Sequence, residues 1–148
     1  MMPSFSRATM AAAALAAGTI LAQPALAEMV MYQADLTGAA QVPPVDTAAL
    51  GMSEITIDTD AMTISWTETH EGLTGEPTAA HFHAPASAEE SAPPVVDILA
   101  DLAAGSRDIT PEQMEQIEAG MWYLNVHSAK YPNGEIRGQV VPADAAAE

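Results

Sequence analysis

The sequence predicts an all-β fold, an antiparallel Greek-key β-sandwich or barrel with one short helix. Three observations predict it. Short apolar–polar alternations of period two recur along the chain, turn signals separate them every 8–12 residues, and a single segment carries helix signals.

The elements follow in order. "EMVMYQADLTG" reads as a first strand ending at Gly38. "AAQVPPVDTAAL" is a loop stiffened by Pro43 and Pro44. "GMSEITIDTD" places Ser53, Ile55 and Ile57 on one side and Met52, Glu54, Thr56 and Asp58 on the other. A tight turn at Asp58–Ala61 leads into "MTISWTETH", where Met62, Ile64 and Trp66 share a face. These two segments read as a β-hairpin. "TAAHFHA" is a further strand, "PASAEESAPP" a loop, and "VVDILADL" another short strand.

The helix is "PEQMEQIEA". Thr110 is a suitable N-cap, Pro111 fits the first helical position, Gln113 completes a capping box, and Gly120 marks the stop. Met114 and Ile117, three residues apart, supply its apolar side. "GMWYLNVHS" and "GEIRGQVV" form a last hairpin with Asn133-Gly134 as turn signal.

Residues 1–27 are set apart. A short region with Arg7, a small-residue apolar run over about residues 10–22, and "ALA" at 25–27 have the form of a secretory signal peptide with an A-x-A cleavage site. The run is shorter than the ~20 apolar residues that a membrane span needs. No second such run follows, so no membrane insertion is expected. The organisation expected is a signal peptide at 1–27, one domain at 28–141 and a frayed tail at 142–148, with a periplasmic or secreted location.

Cleavage after Ala27 leaves three cations, Arg107, Lys130 and Arg137, against 20 acids, a net charge of −17. That charge argues against nucleic acid or an anionic lipid surface as partner and draws cations. With no cysteine, thiolate zinc sites and cysteine nucleophiles are excluded. Any metal must be held by His, Asp, Glu or Met. "SAEES" and "PEQMEQIE" lack the ligand rhythm of a calcium loop. No phosphate loop, nucleophile elbow or His-Glu-x-x-His is present.

The candidate site comes from parity. Residues i and i+2 of a strand point to the same side. His81 and His83 therefore oppose Phe82, the natural core residue. In "MWYLNVHS", Trp122, Leu124 and Val126 are the greasy set, while Met121, Tyr123, Asn125 and His127 point away. If the two strands are neighbours, three neutral imidazoles can meet. Such a set without thiolate suits Cu(II), Zn(II) or Ni(II). The competing expectation is three separate, solvated surface histidines. His70 falls with Ile64 and Trp66 by strict alternation, but at a strand end where a bulge can re-aim it, which makes it a possible fourth ligand. Met29 and Met31 could offer thioethers to Cu(I).

"LTGAAQVPPVDTAALG", "GLTGEPTAAHFHAPA", "APPVVDIL" and "ITPEQMEQIEAGMWYLNVHSAKYPNGEIRGQV" together resemble the CHRD domain over residues 32–141. The resemblance implies export and a β-sandwich, of immunoglobulin-like or superoxide-dismutase-like type. A looser one concerns chemistry. "GLTGEPTAAHFHA" is similar to the copper strand of Cu,Zn superoxide dismutases, and "NVHS" resembles their late Val-His ligand. That resemblance implies copper ligands at His81, His83 and His127. The dismutase zinc loop and disulfide have no counterpart here, and no active-site arginine aligns.

Three readings follow. The first is a non-catalytic exported domain that binds copper, with zinc as the other metal considered, for periplasmic buffering, delivery or tolerance. The second is a metal-free module that binds a protein or polymer partner through a sandwich face or the Tyr131-Pro132-Asn133 hairpin tip. It requires dispersed imidazoles. The third is a copper-only, superoxide-dismutase-like enzyme.

Overall fold

A computed structural model describes residues 28–145. The expected signal peptide at 1–27 and the last residues of the expected tail, 146–148, lie outside them.

The described chain forms β1 (Met29–Thr37), β2 (Leu50–Asp58), β3 (Thr63–Glu71), β4 (Pro77–His83), β5 (Pro94–Asp97), β6 (Ala104–Asp108), α1 (Pro111–Glu118), β7 (Tyr123–Ser128), β8 (Ile136–Gln139) and β9 (Val141–Pro142). All pairings are antiparallel. The strand order is β5-β4-β7-β8-β1-β2-β3-β6, with β9 added beside β1. Strands distant in sequence thus become neighbours, and the sheet curls into a nearly closed barrel around one core.

Inward positions are those that alternation predicts. Ser53, Ile55 and Ile57 of β2, Ile64 and Trp66 of β3, Phe82 of β4, and Leu124 and Val126 of β7 are all buried. Phe82 packs edge-on against Trp66, with ring centroids 5.6 Å apart. The β2–β3 hairpin runs in register from Leu50↔Glu71 to Asp58↔Thr63. Its turn is held by Asp58, whose Oδ1 accepts from the N–H groups of Asp60 and Ala61. The capping box of α1 is formed: Thr110 Oγ1 accepts from Gln113 N–H at 3.2 Å, and Gln113 Oε1 accepts from Thr110 N–H at 2.9 Å. Met114 and Ile117 seat the helix on the barrel.

Three features differ from the sequence reading. The segment "VVDILADL" is strand only to Asp97 and then turns through a 3-10 helix at Leu99–Asp101. Its turn lets β6 pair with β3, a strand the sequence does not announce because Ala104–Asp108 contains no apolar alternation. At the C-terminus, Val141–Pro142 pairs with β1 and Ala143 N–H donates to Met31 O, so the chain is tied to the sheet past residue 141. Among the described residues, no helix is long and apolar enough to cross a membrane.

Candidate metal centre

The strands carrying the histidine pair and His127 are direct neighbours. β4 pairs with β7 through Ala79↔His127, His81↔Asn125 and His83↔Tyr123. β8 then lies on the far side of β7, with Asn125↔Arg137 and Tyr123↔Gln139. Parity therefore gathers His81, His83, Tyr123, Asn125, His127, Arg137 and Gln139 on one outer patch of three strands.

That patch is not solvated, which corrects the expectation of surface imidazoles. His83 is 7% and His127 9% exposed, and His81 is half-buried. The reason is a cover of irregular chain. The segment at residues 84–93 folds back over the sheet: Ala92 O accepts from His83 Nδ1–H at 2.8 Å and from the Tyr123 hydroxyl at 3.2 Å. Ala86 O accepts from Gln139 Nε2, and Ser87 O from Arg137. The β7–β8 turn covers the other end, where Pro132 O accepts from His127 Nδ1–H at 2.9 Å.

The three rings come together. One ligating atom from each of His81, His83 and His127 lies within 4.8 Å of the others. Three nitrogens bound to one ion at ~2.0–2.1 Å stand roughly 3.3–4 Å apart. Closing on an ion thus takes side-chain shifts of an ångström or less.

The hydrogen bonds fix which nitrogens are free. In His83 and His127 the Nδ1–H donates to a backbone carbonyl, so a neutral ring presents its Nε2 lone pair. Both Nε2 atoms lie against Asn125 Oδ1, at 2.9 and 3.0 Å. An amide oxygen there would face two lone pairs. Turned over, the amide offers one N–H to each ring. Its oxygen then lies on the side of Gln41, whose buried Nε2 otherwise has no acceptor. In the metal-free protein, Asn125 therefore satisfies the two lone pairs that an ion would take. His81 has no such substitute, and its buried Nδ1 has no hydrogen-bond partner.

Burial holds both β4 histidines below the ordinary imidazole pKa. For His81 the neighbouring His127 adds to the effect and Asp97 opposes it. For His83 the hydrogen bond to Ala92 opposes it, and the neighbouring His81 and His127 add to it. Neutral rings with lone pairs turned inward are the protonation state that a metal requires.

The other candidates lie elsewhere. His70 is exposed near the end of β3, and its Nδ1 is 2.9 Å from Glu68 Oε2. β3 and β4 are far apart in the strand order, so His70 does not join the three histidines. Met29 and Met31 project from the outer face of β1, 58% and 53% exposed, and Met31 Sδ accepts from Thr56. Asn125, Tyr123 and Arg137 were not singled out as site residues by the sequence. Parity grouped the first two with His127, and that grouping was the available signal.

A family model described as CHRD domain matches residues 32–140. No curated protein and no solved structure matches the chain.

Proposed function

The chain belongs to the CHRD domain family, and from that premise and the imidazole geometry we propose that it is an exported copper-binding domain that buffers, delivers or confers tolerance to copper in the periplasm. The observation that carries this reading is the three-histidine group on β4 and β7, with one unpartnered buried nitrogen on His81.

Several features support it. The donor set is nitrogen only, which suits copper and zinc and disfavours calcium or magnesium. The backbone carbonyls of Ala92 and Pro132 fix the Nδ1–H tautomer of His83 and His127, as in built metal sites. The excess of 20 acids over four bases draws cations toward the protein. The signal-peptide pattern at 1–27 supports export. A module using dispersed imidazoles fits this geometry less well, because the rings converge.

The test is titration with Cu(II) and with Cu(I) under reductant. The wild-type protein should take up one ion. The double variant His81→Ala/His83→Ala should lose at least ~100-fold in affinity, since disturbing even an outer-shell partner of a metal ligand costs 10–100-fold. Unchanged affinity in a folded double variant refutes the assignment.

A further inference from the structure

Arg137 is 2% exposed, and no carboxylate pairs with it among the described residues. This is unexpected in a chain with 20 acids and four bases. Buried charges are ordinarily paired, because desolvation is costly. The guanidinium instead donates to Ser87 O at 3.0 Å and reaches Gln139 Oε1 at 3.5 Å. Its flat face lies on Tyr123, with Cζ 3.6 Å from the ring centroid. The other stacking partner of Tyr123 is His83, with centroids 4.7 Å apart and planes 5° from parallel.

A guanidinium–phenol–imidazole stack thus ends on the histidine group. Its two spacings place the cationic carbon within about 8 Å of the His83 ring centre. The stack is pinned at several points. Tyr123 Oη donates to Ala92 O and accepts from Ala92 N–H, and Gln139 Nε2 is held by Ala86 O and Gly120 O. The positive charge is therefore fixed and sealed from solvent.

We propose that Arg137 makes the three-histidine site selective for charge, biasing it toward a soft monovalent cation, Cu(I), over divalent ions. This inference rests on the reading that the histidines hold a metal. The physical basis is Coulombic. Three neutral imidazoles bring no negative charge to offset the ion. A fixed cation opposes a divalent guest twice as strongly as a monovalent one. The surface carboxylates that attract cations act through water and salt, whereas the buried guanidinium is poorly screened. Tyr123 separates the two charges without neutralising either.

The test uses two redox-inert probes, Ag(I) and Zn(II), titrated into wild-type protein, Arg137→Gln and Arg137→Lys. Tryptophan emission checks that each is folded. The ratio of Zn(II) to Ag(I) affinity should rise roughly tenfold in Arg137→Gln, from a unit charge about 10 Å from the ion at intermediate dielectric. Arg137→Lys should keep the ratio near wild type. An unchanged ratio in folded Arg137→Gln overturns this inference and leaves metal binding standing. Failure of wild-type protein to bind either ion refutes the metal reading and this inference with it. Should Arg137→Gln not fold, the wild-type copper potential decides. It must lie above that of a free tris-imidazole copper complex in the same buffer, and a value at or below it overturns the proposal.

Discussion

Asn125 and the two rings it touches show how single residues set the site. Its amide is the metal-free partner of the lone pairs on His83 and His127. Asn125→Ala should lower metal-free stability by about 1–3 kcal/mol, because buried polar atoms lose their partner. The copper-induced rise in melting temperature should then be larger than in wild type, since the ion takes over those lone pairs. Loss of copper binding in this variant would instead make Asn125 a ligand. A pH effect belongs at the same scale. Burial lowers the His81 and His83 pKa in the folded state below the ~6.5 of the unfolded chain. Above that pH both states hold these rings neutral and the groups cost nothing. Below it the unfolded chain takes up protons first, so stability falls as pH drops from about 6.5 and the loss levels off beneath the depressed folded values. Urea unfolding of the metal-free protein at pH 7.5 and 5.5 should show this, and His83→Ala should flatten the dependence. A slope unaltered by His83→Ala would assign the pH dependence to other groups.

Between elements, the seam joining β8 to β1 supports the site from behind. A Cβ on Gly138 would stand 2.4 Å from Asp35 O and 2.7 Å from Asp35 C, backbone atoms that cannot swing away. Gly138→Ala should cost about 1–3 kcal/mol by overpacking, read as a lower urea midpoint. A midpoint within error of wild type would show that the seam opens freely. The strands of this barrel were legible where an apolar set alternates, as in Ile55, Ile57, Ile64 and Trp66. β6 was hidden because Ala104–Asp108 is small and polar, and it pairs with β3 through its backbone. Parity gave the side of the sheet on which His81, His83 and His127 stand. It could not show what lies over them, because the cover at 84–93 works through the carbonyls of Ala86, Ser87 and Ala92. Backbone acceptors leave no mark in residue types.

At the scale of the whole molecule, the order β5-β4-β7-β8 is what turns a weak His-x-His spacing into a site. It sets Ala79 beside His127, places the three imidazoles together, and stacks Arg137 and Tyr123 behind His83. The same order leaves His70 on β3, bonded to Glu68 and away from the other three. Binding to the folded state alone links the ion to global stability. A hundredfold excess of free copper over its dissociation constant should add about 2.7 kcal/mol. The most direct measurement is the nitrogen hyperfine pattern and stoichiometry of Cu(II) bound to the purified protein. The account predicts one ion held by three imidazoles, with the signal lost in His81→Ala/His83→Ala/His127→Ala. A signal that survives this triple substitution, or the absence of any bound copper in wild type, would contradict it.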